Sequence, residues 1–523
     1  MGATLTALDW AIVLGYLGVS IGVGIALSGR RSNSAADYFR GGNEMPAWVV
    51  TFSVIATTQS AATFLGGPDY GYRGDYTYLG SFLGSAMAAI FVARFIVPRF
   101  YSLKVTTVYE LLEARYGPTA KRAAGVTYLF GRVFANGARL YMAAIAVSMM
   151  LFFDIAPGHV FAAIASLTII SLGVTLVGGI RSVIWSDLAQ FIVYFAAAIV
   201  ALVSLAGQLS LSPAEIVKAL QGAQGSINKL RVFDFSADFA KPFGFWAVIS
   251  GVFLLNVGNF GLDQDTTQRL LTCRNAKAGG RALVWSAILA VPIVWVFVTI
   301  GQFLYLFYDR PDIDGPRGAS GPLQEFSGEK ITIFMSYILT QMPPGVRGLA
   351  VAGVIAAAVS TMTSGINAMS SVLVEDFYRP WRERQGAATP SHFVDAGRAG
   401  MVLFSAMLAS MAILSFHWQR YANTPLLEFA LSVMTFAYAG LIGVFLTAIF
   451  SNRGSSASVI AALSVGFLVI LALQPYVIDN IGLPAALKNL SFPWHLMIGA
   501  GIATLVCAMG GKKSERLEAV HER

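Results

Sequence analysis

Charge is what this sequence has least of. Asp, Glu, Lys and Arg together make up 12% of its 523 residues, against 56% hydrophobic residues. A soluble globular domain carries about 25% charged residues, so a water-facing surface over the whole chain is excluded. Cysteine is nearly missing too. Cys273 and Cys507 stand far apart, which excludes a disulfide framework. The five histidines, His159, His392, His417, His495 and His521, have no metal-ligand spacing. No paired carboxylates or histidine cluster suggest an acid–base constellation, so no enzyme is expected. There is no GxxxxGK(S/T) loop, which argues against ATP as an energy source. The first apolar stretch begins within ten residues of Met1 without a basic leader, and reads as a true span.

What is there is apolar sequence in runs of about 20 residues or more, enough to cross a hydrocarbon core of about 30 Å. Mean hydropathy is +0.65. The pattern predicts an all-α membrane protein of about thirteen transmembrane helices. Spans are expected near 6–28, 47–66, 76–100, 122–153, 158–178, 183–207, 244–264, 282–308, 346–373, 397–416, 426–450, 456–475 and 493–510. The net charge of +8 falls in short connections, as a topology signal and not a nucleic-acid surface. One alternating set of connections is the more basic. It holds Arg30, Arg31, Arg40, Lys104, Arg115, Lys121, Arg122 and Arg181. Arg269, Arg274, Lys277, Arg281, Arg379, Arg382, Arg384, Arg398, Arg453, Lys512, Lys513 and Arg516 follow. The positive-inside rule places this set in the cytoplasm. The N-terminus then lies outside and the C-terminus inside, as an odd number of spans requires. The longest connections, near 208–243 and 309–345, are expected outside, with short helices or a gate.

Polar residues inside apolar spans are expensive, and so mark sites. The second span carries Thr57, Thr58, Gln59, Ser60 and Thr63 and ends in Gly66-Gly67-Pro68, the composition of a broken helix. A second polar, Gly-rich interruption runs from Asn256 to Gln264, five spans later. Two interruptions at matching places in two halves point to an inverted-repeat secondary transporter. Their freed carbonyls can replace the water around a hard cation. The ninth span offers Ala357, Ser360 and Ser364 on one helix face, flanked by Thr361 and Thr363. A small-residue packing seam would read the same way. Asp187 near the start of the sixth span reads as a cation ligand or proton relay, or as a wet interfacial cap. Arg132 in the fourth span reads as a clamp for an anionic substrate group, or as a snorkelling side chain.

Six stretches in order resemble the sodium:solute symporter family, which includes the sodium/glucose, proline and sialic-acid symporters. They are Asp37–Gly42, Val108–Gly117, Gly178–Asp187, Asp263–Arg269, the Ser/Thr-rich ninth span and Glu375–Pro380. The resemblance implies a LeuT-like core of five plus five inverted helices, at 47–207 and 244–450. It adds one helix before the core at 6–28, two after it at 456–510, and a cytoplasmic tail at 511–523. It implies a first sodium held by the carbonyls of Ala56, Gln59 and Ala357 and the hydroxyls of Ser360 and Thr361. A second sodium would use Asp187, Ser360, Thr363 and Ser364. The first broken span most resembles the sialic-acid branch, where hydroxyls matching Thr58, Ser60 and Thr63 and an Arg matching Arg132 hold a carboxylate. Tyr78 and Phe82 stand at further substrate positions of that branch, and Asn256 and Asn259 at those of the galactose type. The expectation is a sodium-driven symporter of a small carboxylated solute, with one or two sodium ions and no obligate protein partner. Alternatives are a neutral-solute or proton-coupled carrier, or a solute sensor on the same fold.

Overall fold

The structure, a computed structural model, describes residues 5–27, 35–223, 228–310, 325–326, 329–386, 389–418 and 426–511. Arg30, Arg31, Lys512, Lys513, Arg516 and the tail beyond 511 lie outside the described residues. Helix dominates; the strands among the described residues are the two-residue pair Glu325–Phe326 and Glu329–Lys330. The first helices are α1 (Ala7–Leu27), α2 (Ala47–Thr58), α3 (Ala61–Arg73), α4 (Thr77–Ser102) and α5 (Pro118–Phe152). Then come α6 (Pro157–Leu176), α7 (Gly179–Gln208), α8 (Phe245–Leu262), α9 (Gln264–Leu271) and α10 (Ala276–Asp309). The last are α11 (Val346–Glu383), α12 (Pro390–Trp418), α13 (Leu426–Phe450), α14 (Ser456–Ala472) and α15 (Phe492–Ala508).

Among the described residues, nine helices are long and apolar enough to cross a membrane. The pair α2 and α3 passes the same test as one span bent by 67°. Three shorter apolar helices lie at Ala7–Ser20, Ser456–Ala472 and Phe492–Ala508. Several helices run past the apolar stretch that announced them. Helix α5 begins at Pro118, behind Gly117 at φ 94, where the fixed ring torsion suits a first turn. Helix α10 begins at Ala276, where the Asn275 side chain accepts the Ala278 N–H. Gly179 separates α6 from α7 at φ 59, and a methyl there would lie 2.6 Å from the Tyr38 carbonyl oxygen.

Both interruptions are real, and neither is made by its glycines. The first break falls at Gln59 and Ser60, whose backbones are extended. Gly66, Gly67 and Pro68, expected at the break, lie inside α3. The second break is the single extended residue Asp263, while Gly258 and Gly261 belong to a wide helical turn before it. These glycines serve contact. A methyl on Gly258 would lie 2.8 Å from the Tyr438 ring, and one on Gly67 3.1 Å from Phe297. The second broken span is the fifth after the first, so α2 to α7 and α8 to α13 each hold five spans, as the two halves of a LeuT-like fold do.

The connections outside these spans carry short helices. Ser212 and Glu215 form a reciprocal capping box at the start of Pro213–Gln221. Lys229 donates to the carbonyls of Tyr72 at 2.7 Å and Gly74 at 2.9 Å, at the C-terminus of α3. The cation thus answers carbonyls that have no helical partner. A correction concerns Arg269. It was counted among the loop cations, but it is fully buried in α9.

The tightest seam joins α3 to α10. A methyl on Gly301 would lie 2.0 Å from the Pro68 carbonyl oxygen, and one on Gly71 2.3 Å from the Val298 oxygen. Backbone meets backbone there, as small residues allow in membrane interiors. Gly301→Ala should therefore destabilise the fold by about 1–3 kcal/mol, read as a lower melting temperature in detergent. Gly207→Ala, where a methyl meets nothing within 4 Å, should show no such loss.

Candidate functional site

The first break is built by side chains that turn on their own backbone. Thr57 Oγ1 donates to Ser53 O at 2.8 Å and Thr58 Oγ1 to Ile55 O at 3.0 Å, bonds that compete with a continuing helix. Gln59 N–H still reaches Ile55 O, whereas Thr63 and Phe64 N–H both turn to Ser60 O. Among the described residues, no backbone donor beyond the break returns to the carbonyls of Ala56 to Gln59. Helix α11 lies against this gap. Ser360 Oγ lies 3.2 Å from Ala56 O, and Thr361 Oγ1 donates to Ala357 O at 3.0 Å. The carbonyl and hydroxyl oxygens of the first predicted sodium set are thus buried at the crossing of α2 and α11. Gln59 adds a buried side-chain oxygen with no hydrogen-bond partner.

Asp187, Ser360 and Ser364 of the second predicted set also come together, around a residue that was not expected. Ser360 Oγ donates to Asp187 Oδ1 at 2.8 Å, and Ser53 Oγ to Asp187 Oδ2 at 2.6 Å. Arg269 completes the group: its Nη2 lies 2.8 Å and its Nε 3.2 Å from Asp187 Oδ2. The same guanidinium donates to Ser364 Oγ and to Ser53 Oγ. Thr363 Oγ1 instead bonds Ser360 O at 3.0 Å. Asp187 and Arg269 are both fully buried. The Asp187 carboxylate is already paired with a guanidinium, so its charge is compensated from within the chain.

All eight predicted substrate positions line one cavity of about 1020 Å³, counting its mouth: Thr58, Ser60, Thr63, Tyr78, Phe82, Arg132, Asn256 and Asn259. Aromatic rings close over it. The tilted rings of Tyr78 and Phe243 have centroids 5.0 Å apart, and Phe243 meets Tyr70 edge-on at 5.3 Å. Phe243 also lines a second cavity beside Asp75, Arg231, Asp234 and Lys241. Arg132 is placed differently from its expected role. Its Nη2 lies 2.7 Å from Asp263 Oδ2 and 2.8 Å from Asp265 Oδ2, and its Nε donates to Asp263 Oδ1 at 3.1 Å. Asp263 caps α9 by accepting the Asp265 N–H. Arg132 therefore ties α5 to the second break. Arg139, which lines the same cavity, was not singled out from sequence. It stands seven residues after Arg132, two turns along one helix face, and that spacing is the signal that could have found it.

A model of the sodium:solute symporter family matches residues 38–466. The chain belongs to this family. This symporter is 27% identical over 479 residues to the sodium/sialic acid symporter SiaT of Proteus mirabilis, covering 89% of each chain. It is 26% identical over 473 residues to sodium-coupled monocarboxylate transporter 1 of Homo sapiens, covering 90% of this chain and 73% of that one. Among solved structures, an outward-open, substrate-bound Na+-coupled sialic acid symporter superposes with a TM-score of 0.78 at 24% identity. That match covers 96% of this symporter and 97% of the other chain. It shows a shared fold. Family membership carries the coarse function, sodium-coupled transport of a solute by an integral membrane protein.

The Asp187–Arg269 pair gives a direct test. Asp187→Asn leaves a buried guanidinium uncompensated, and should cost about 3–5 kcal/mol. Arg269→Gln strands the carboxylate and should cost a similar amount. The double variant should lose clearly less than the sum of the two, read by thermal unfolding as a double-mutant cycle.

Proposed function

We propose that this symporter moves a small carboxylated organic solute into the cell, driven by sodium held at the first break. The observation that carries this reading is the crossing of α2 and α11, where Ser360 meets the freed carbonyl of Ala56 at 3.2 Å. Neutral carbonyl and hydroxyl oxygens are the ligands a hard cation prefers. A site made of Ala56, Gln59, Ala357, Ser360 and Thr361 exists only while α2 and α11 stay together. Sodium binding there favours the arrangement in which the adjoining cavity is formed, which is how a cation gradient can drive solute uptake. The second set holds a sodium only if the ion shares Asp187 with Arg269 or the guanidinium withdraws, so one sodium per solute is the simpler stoichiometry.

Three features support an anionic solute. The cavity lining contains Arg139, which no carboxylate pairs among the described residues, beside Arg132, whose charge Asp263 and Asp265 already compensate. Ser60 and Thr63 add hydroxyls at the N-terminus of α3, the end of a helix that favours negative charge, with Thr58 beside them at the end of α2. The two relatives described above are named for a carboxylated sugar and for monocarboxylates. We place the helices as thirteen spans with the N-terminus outside and the C-terminus in the cytoplasm. The aromatic layer of Tyr70, Tyr78 and Phe243 then forms the outer seal.

Uptake in proteoliposomes tests the reading, with sodium and proton gradients imposed separately. The panel is labelled lactate, pyruvate, N-acetylneuraminate, galactose and proline. Sodium-driven uptake of one or more of the carboxylates that exclude proline's zwitterion is expected. Uptake that follows pH and ignores sodium sinks the mechanism. Ser360→Ala and Thr361→Ala should each raise the sodium concentration for half-maximal uptake, by roughly tenfold for one lost charge-assisted contact. An unchanged sodium requirement in both removes the site.

A further inference from the structure

Two arginines face the cavity, and they are not equivalent. Arg132 is satisfied: two carboxylates, of Asp263 and Asp265, bind its guanidinium, and its Nη1 donates to Asn136 Oδ1 at 3.4 Å. The carboxylates are supported from behind. Tyr128 donates to Asp265 Oδ1 at 2.8 Å, and Tyr438 donates to Asp263 Oδ2. An arriving anion would have to compete with this cluster for Arg132.

Arg139 is not satisfied among the described residues. There its buried Nε has no hydrogen-bond partner, and its Nη2 meets only the Met434 thioether at 3.0 Å. A guanidinium offers five donors, and a thioether is a weak acceptor. A cation at membrane depth, half-buried and left with a sulfur, is costly unless something else completes it. The side chain lines the cavity that Ser60 and Thr63 also face.

We propose that Arg139 binds the anionic group of the transported solute, and that Arg132 is a structural cation that holds the second break to α5. The assignment rests on the anion-symport reading and sharpens it. The charge that selects the solute lies two turns along α5 from the residue that resemblance pointed to. A planar carboxylate suits it, because a guanidinium binds two oxygens in parallel. The empty valences of Arg139 are filled only when the solute is present, so the anion adds stability to the loaded state that a neutral analogue cannot.

The test compares wild type with Arg139→Gln, Arg139→Lys and Arg132→Gln in proteoliposomes at saturating sodium. Uptake of labelled lactate, pyruvate and N-acetylneuraminate is measured, with lactamide and the N-acetylneuraminate methyl ester as neutral competitors. Sodium-induced thermal stabilisation without solute reports folding and the cation site. Arg139→Gln should raise KM for the transported anion at least tenfold and leave the sodium-induced shift and the weak competition by neutral analogues in place. Arg139→Lys should recover part of the anion affinity. Arg132→Gln should lower the melting temperature instead. Should Arg139→Gln fold poorly, Arg139→Met, apolar and of similar reach, takes its place with the same expectations. A KM within twofold of wild type in the folded variant overturns the assignment and leaves anion symport standing. A wild type that carries only neutral solutes overturns both.

Discussion

A charge placed in a membrane interior must bring its partner with it, because no water is there to screen it. In this symporter the partners are carried by the broken helices themselves. Asp187 on α7 meets Arg269 on α9, and Arg132 on α5 meets Asp263 and Asp265 at the second break. Each pair spans elements distant in sequence, so each holds a half-helix that lacks continuous backbone hydrogen bonding against a rigid neighbour. Removing one partner would cost several kcal/mol, and that cost fixes how α9 can sit. The cavity and the crossing of α2 and α11 depend on this placement, since α8 lines the cavity from one side and α2 and α3 from another.

The crossing of α2 and α11 follows a different rule. There the polar groups are neutral, and two lines of oxygen meet where backbone hydrogen bonding stops. Ser360 serves both arrangements: its hydroxyl contacts Ala56 O and Asp187 Oδ1. One hydroxyl thus connects the neutral crossing to the charged pair. A change in the position of α2 relative to α11 reaches Asp187, and through it Arg269 on the second broken span. The two breaks are physically coupled through few atoms.

Much of this was legible in the sequence, and the rest was hidden for specific reasons. The hydroxyl-rich run at 57–63 announced the first break, because Thr and Ser side chains compete for helical carbonyls. All eight residues expected to face the solute do face one cavity. The exact break points were not legible. Glycine suggested them, but Gly67 and Gly258 were answering the close approach of Phe297 and Tyr438. Arg269 read as a loop cation because counting charge between apolar runs cannot tell a half-helix from a connection. Arg132 was found in the right cavity, but its pairing depends on Asp263 and Asp265, more than 130 residues away, where no local pattern shows it.

The seam between α3 and α10 bears on how the molecule moves. Where Gly301 and Gly71 bring backbone against backbone, neither helix can slide past the other without pressing a carbonyl into a Cα. The second half of the first broken span, α3, is therefore held to α10 as one body. Bending is left to Gln59 and Ser60, the only extended residues between α2 and α3. The joint that carries the oxygens proposed for the cation is then also the hinge, and an ion seated there would stiffen the very point about which the carrier must turn.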